Sequence, residues 1–244
     1  MEIKRYNTKE EMGAAAAADV VAAIIDTLTR KDTINMIFAS APSQTSFISS
    51  FVKTPDVPWE RIRAFHMDEY IGLPKDAPQG FGNFLDRLLF CLAPFHEVHY
   101  INCDAPDPEA ECERYAALLR KYPVDIVCLG IGENGHIAFN DPGVADFNDR
   151  RLVKIVPLDQ VCRMQQVHDG CFDSIDKVPT HALTLTIPAL LAAESMFCVV
   201  PCRTKAKAVR DTVQGPISES CPASVLRTKE KSFLYLDSES ASLL

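Results

Sequence analysis

Short apolar segments recur along the chain at 34–39, 61–67, 97–102, 125–130, 152–157, 183–187, 196–200 and 233–236, and they are continuous runs rather than alternations of apolar and polar residues. A run that is apolar on every residue can be satisfied only where both faces of a strand are covered. Helical patterns fill most of the intervals, at 12–30, 43–52, 80–92, 108–121, 158–167, 189–194 and 204–213, and Thr8 to Glu11 reads as a T-x-x-E capping box for the first of them. Strands separated by crossover helices predict a three-layer, doubly wound, mostly parallel α/β sheet of Rossmann-like type. No repeat, low-complexity tract or linker divides the chain, so residues 1–244 are expected to form one domain.

Charge narrows the partners. Acidic residues outnumber basic ones 33 to 25 and no Lys/Arg block occurs, so neither nucleic acid nor an anionic membrane surface is an expected partner. Neither a cleavable apolar region behind Met1 nor an uninterrupted apolar stretch of membrane-spanning length is present. Nine cysteines, an odd number without a C-x-x-C pair, read as reduced, buried thiols. These features predict a cytoplasmic protein acting on a small molecule.

In a doubly wound sheet the ligand lies beyond the carboxyl ends of the strands, which nominates four places. After 61–67 the sequence runs His66-Met67-Asp68-Glu69-Tyr70-Ile71-Gly72-Leu73-Pro74. Asp68 emerges at the strand tip, where a carboxylate acts as a proton-abstracting base if burial raises its pKa, or caps the following turn. After 125–130 a glycine-rich loop carries Gly130, Gly132 and Gly135 in G-x-G-x-x-G spacing. A dinucleotide fingerprint needs a helix directly behind the glycines, and Asp141-Pro142-Gly143 interrupts the chain first. The loop's own titratable group is His136, between Asn134 and Asp141, which can orient an imidazole and fix its tautomer. After 196–200, Lys205 falls in the first turn of a helix, where an anion such as phosphate would be held.

Two of these motifs carry a family resemblance. Phe65-His66-Met67-Asp68-Glu69-Tyr70-Ile71-Gly72-Leu73 resembles the F-x-M-D-E-Y-x-G-L of the glucosamine-6-phosphate deaminases (isomerases), and residues 129–143 resemble that family's L-G-x-G-x-[DN]-G-H-I-[AG]-F-N-E-P-[AG]. The 6-phosphogluconolactonases are more distant relatives that share Gly135-His136 but not Ala138-Phe139-Asn140. The resemblance implies Asp68 as the base moving a proton between C2 and C1 of an open-chain amino sugar, and His136 as the ring-opening acid/base. Asn134 and Asp141 stand where the family places the histidine's partners, and Lys205 where it places a phosphate ligand. The implied reaction converts glucosamine 6-phosphate, or the galactosamine analogue, to a ketose phosphate and ammonia, with no metal or redox cofactor. A homo-oligomer is also implied.

The phosphate-binding pattern departs from the family. Where the relatives have T-G-[GS]-[ST]-P, this chain has Ala39-Ser40-Ala41-Pro42-Ser43-Gln44-Thr45, without glycine and with a proline that removes an amide donor. Ser40, Ala41 and Ser43 remain the candidate cradle. His168 aligns with the family's phosphate-binding arginine, Arg163 is its candidate substitute, and Asp141 stands in place of a glutamate. The expectation is retained proton-transfer chemistry with an altered phosphate grip. The alternatives are a sugar-phosphate sensor without turnover, which has no chemical need of both Asp68 and His136, and a sugar-lactone hydrolase, which has no need of Asp68.

Overall fold

Every central strand is apolar on both sides because helices or a second sheet cover both faces of the main sheet. The computed structural model describes residues 1–244. Its elements are, in order, β1 (Glu2–Arg5), α1 (Lys9–Leu28), β2 (Ile34–Phe38), α2 (Thr45–Lys53), β3 (Ile62–His66), β4 (Asp68–Tyr70), α3 (Phe81–Leu85), β5 (Glu97–His99), α4 (Pro108–Lys121), β6 (Ile126–Leu129), β7 (Val153–Pro157), α5 (Gln160–His168), β8 (His181–Leu185), α6 (Ile187–Leu191), β9 (Ser195–Val200), α7 (Ala206–Gln214) and β10 (Ser232–Leu236). Seven strands form one sheet in the order β1-β10-β9-β6-β2-β3-β5, and every neighbouring pair is parallel.

Strand alternation distributes the apolar residues between two cores. Ile126 and Cys128 of β6, with Phe197 and Val199 of β9, pack under Met12, Val20 and Ile24 of α1 and Phe47 and Phe51 of α2. Val127 and Leu129, with Met196, Cys198 and Val200, face Tyr115 and Leu119 of α4, Val209 of α7 and Leu183 and Leu185 of β8. Thr8 caps α1, its hydroxyl accepting the Glu11 amide at 3.1 Å, while the Glu11 carboxylate accepts from Asn7, one residue before the partner that a capping box requires.

Three features differ from the pattern expected of the sequence, the first being the additional edge strand β1. Strands β4, β8 and β7 leave the main sheet and form a separate antiparallel one in that order. Only Met67 separates β3 from β4, and its carbonyl accepts the Leu185 amide at 2.8 Å, so the chain passes from one sheet to the other within a single residue. The helix expected over 80–92 is also broken: α3 continues as a π-helical turn at Asp86–Phe90. Both the chain's exit from β3 and the loop after β6 open on the carboxyl edge of the parallel sheet.

Candidate active site

Asp68 stands at the hand-over between the two sheets, paired in register with Thr184 of β8. It is 6% exposed, and no hydrogen bond of the protein engages its carboxylate. Burial, with the neighbouring Glu69 carboxylate adding to it, pushes its pKa well above the ordinary carboxylate value. The backbone around it is fixed from behind. His66, fully buried, donates from Nδ1 to the Asp68 carbonyl at 2.9 Å and accepts the Ile101 amide at Nε2, also at 2.9 Å. Glu69 points the other way and accepts the amides of Tyr70, Phe81 and Gly82 at 2.9, 3.0 and 2.9 Å, which ties the start of α3 to the strand.

The glycine-rich loop after β6 brings His136 to the same cleft as Asp68. No helix follows the glycines until α5 at Gln160, so the loop is not a dinucleotide turn. Nδ1 of His136 lies 2.8 Å from Asn134 Oδ1 and 2.9 Å from Asp141 Oδ1, and the Asn134 amide donates to that same Asp141 oxygen at 2.9 Å. Two oxygen acceptors around Nδ1 place its proton there and leave Nε2 as the free nitrogen. Burial alone would raise the Asp141 carboxyl, but the bonds from His136 and Asn134 outweigh it and hold the group below the ordinary range. Beyond the histidine the chain turns through Ala138 in the left-handed region (φ 49°), and Asn140 donates to the carbonyls of Ile137 and Leu185, fastening the loop to the small sheet.

Ser40, Ala41 and Ser43, from the loop after β2, line the cleft with Asp68 and His136. Pro42 opens a single 3-10 turn running directly into α2. It removes one donor as expected, yet the amides of Ala41 and Ser43 donate to no group of the protein, at the positive end of these turns. Ser43 also lines an adjoining polar groove with Lys205. Lys205 is 4% exposed, and its ammonium has no hydrogen-bond partner. Burial lowers its pKa against the opposing pull of Asp169 and Glu133.

Arg163 and His168 do not join this group. The Arg163 guanidinium is committed to the carbonyls of Ile175 and Val178, at 2.7 and 2.8 Å, and staples α5 to the turn that follows it. His168, at the end of α5, is 56% exposed and lies 3.7 Å from Glu133. Neither lines the cleft or the groove. The helix instead turns Gln165 and Gln166 to the cleft, opposite Gln44, whose amide reaches the Val199 carbonyl at 3.0 Å. Phe81 and Phe139 form an apolar wall, stacked at 5.5 Å with an 18° interplanar angle. None of these five was expected from the sequence, because carboxamides and aromatics follow no catalytic spacing and their facing depends on tertiary packing.

Fold and cleft together define a doubly wound α/β protein that presents an unpaired carboxylate and an oriented imidazole at the carboxyl edge of its parallel sheet. A sequence profile described as "Glucosamine-6-phosphate isomerases/6-phosphogluconolactonase" matches residues 7–235, and the chain belongs to that family. It is 35% identical over 213 residues to a glucosamine-6-phosphate deaminase of Listeria innocua serovar 6a, covering 87% of this chain and 88% of the relative. A glucosamine-6-phosphate deaminase of Streptococcus gordonii is 36% identical over 206 residues, covering 84% and 85%. Among solved structures, a monomeric glucosamine-6-phosphate deaminase superposes with a TM-score of 0.90 at 31% identity over 100% of both chains. A 6-phosphogluconolactonase of Thermotoga maritima shares the fold, with a TM-score of 0.76 at 20% identity over 97% and 98%.

Proposed function

We propose that the chain is an amino-sugar-phosphate deaminase/isomerase that converts glucosamine 6-phosphate and water to fructose 6-phosphate and ammonia. The observation that carries this reading is the pairing, in one cleft, of the unbonded Asp68 carboxylate with an imidazole whose Nε2 is left free by the Asn134–Asp141 clamp. His136 opens the pyranose ring, passing the C1 hydroxyl proton to the ring oxygen, and thereby exposes the C1 aldehyde. Asp68 then takes the proton from C2 and returns it at C1, while O1 gains the proton that the substrate ammonium gives up; this leaves a C2 iminium that water attacks with release of ammonia. A base raised above its ordinary pKa is suited to abstracting a carbon-bound proton near neutral pH. The Ala41 and Ser43 amides, with Lys205 across the groove, supply the phosphate grip. The nine thiols are free, and although Cys91 and Cys202 are exposed rather than buried as expected, they fit a reducing, cytoplasmic setting.

The test is to incubate the protein with glucosamine 6-phosphate, galactosamine 6-phosphate and 6-phosphogluconolactone, and to measure ammonia, ketose phosphate and acid release. Ammonia and ketose phosphate in equal amounts from one of the amino sugars, absent with Asp68→Asn, is the expected result. Lactone opening without ammonia would transfer the chain to the hydrolase branch, and binding without any product would make it a sensor.

A further inference from the structure

Behind the imidazole lies a thiol that none of these proton transfers uses. Cys162, in the first turn of α5, is 1% exposed, and ligand atoms of Cys162, His136 and Asp141 all lie within 4.8 Å of one another. Asp141 is completely buried, and while its Oδ1 serves the imidazole, its Oδ2 makes no well-formed hydrogen bond, the backbone amide of Asp159 being its nearest donor. A buried carboxylate oxygen so poorly served by donors is costly, and an electropositive ligand would relieve it.

Thiolate, imidazole nitrogen and carboxylate oxygen are the donor set of zinc and its heavier congener cadmium. Donors around a tetrahedral zinc ion stand roughly 3.5 Å apart, so the three atoms converge on an ion by small side-chain rotations. The cleft, which His136 lines, offers the fourth position.

We propose that His136, Asp141 and Cys162 form a binding site for a thiophilic divalent cation, and that filling it inhibits the enzyme reversibly. As the sulfur–metal bond forms, the Cys162 proton leaves to solvent. If the ion takes Nδ1, the Asp141 bond that orients the ring is lost; if it takes Nε2, the free nitrogen is lost. Binding stands on the cluster alone, whereas inhibition rests on the role given to His136 under the proposed function.

The experiment uses the full chain, stripped with a chelator and titrated with Cd2+ and Zn2+ while thiolate-to-cadmium absorption and ammonia release are followed. The wild type is expected to show a band saturating at one cadmium per chain, with activity falling over the same range for both ions and returning with chelator. Cys162→Ala should keep its basal activity, lose that band and need at least about tenfold more metal for inhibition. Cys162→Ser, which preserves the volume, controls for packing. No Cys162-dependent band overturns the site. A Cys162-dependent band without inhibition keeps the site and overturns the inhibitory role, and with it the part assigned to His136.

Discussion

The imidazole of His136 lies so close above Gly132 that a Cβ added there would stand 2.1 Å from Cε1 and 2.2 Å from Nε2. The glycine is fixed by its neighbour's ring rather than by its own backbone, since it is not among the positive-φ glycines. Gly132→Ala must therefore displace the ring from its clamp. We expect kcat to fall at least about a hundredfold, as for a misplaced catalytic group, with Tm lowered by only a few degrees. Near-normal kcat in this variant would mean that the ring position seen here is not the working one.

Asp68→Asn should remove activity and stabilise the fold. Burial raises the folded-state pKa of Asp68 above its ordinary 3.8, so the fold prefers the protonated form. The stability that the group contributes is present below 3.8 and is lost as pH rises through the folded value. At neutral pH the variant should melt higher than the wild type, by about 2–4 °C for each kcal/mol relieved, and the difference should vanish as pH falls below 4. Equal melting temperatures at pH 7.5 would contradict the strained-base account.

Lys205→Met separates binding from proton transfer. A buried, unpartnered ammonium becomes an apolar side chain, so stability should rise while KM for the sugar phosphate increases by about tenfold or more and kcat changes far less. His168→Ala should leave KM within about twofold, because its exposed ring lines neither the cleft nor the groove. An unchanged KM in the lysine variant would remove Lys205 from the phosphate grip.

His66 gives the fold an acid limit. Burial pushes its pKa from 6.5 down to about 4, so its contribution to stability is complete above 6.5 and is lost as pH falls through about 4. The denaturant midpoint should decline across that window. His66→Gln, which still offers a carbonyl to the Ile101 amide, should flatten the decline; an unaltered slope would assign it to another group.

The parallel sheet was legible because its strands are buried on two faces: 34–39, 125–130 and 196–200 differ from β2, β6 and β9 by a residue or so at each end. The second sheet was not. Asp68, Glu69 and Tyr70 are too few and too polar to read as a strand, and nothing within β7 or β8 declares that they pair antiparallel with each other rather than join the main sheet. The edge strand β1, half-exposed and four residues long, gave no signal either. At the site, strand ends and glycines mark Asp68 and the His136 loop in the sequence, and the fold brings the two to one cleft. Arg163 and His168 failed for a different reason: nearness along a helix does not say which face it turns to the cleft, and α5 presents its carboxamides.

The single-residue passage from β3 to β4 limits how this stretch can change over time. Met67 is flanked by two registers, Phe38 against His66 in one sheet and Asp68 against Thr184 in the other. Because side chains reverse direction at every position of an extended chain, one added or lost residue would turn Asp68 away from the cleft while breaking a register. Loops elsewhere in the molecule can lengthen or shorten by insertion and deletion, but here only substitution is open. The length of this segment, as much as the identity of its carboxylate, should be under selection.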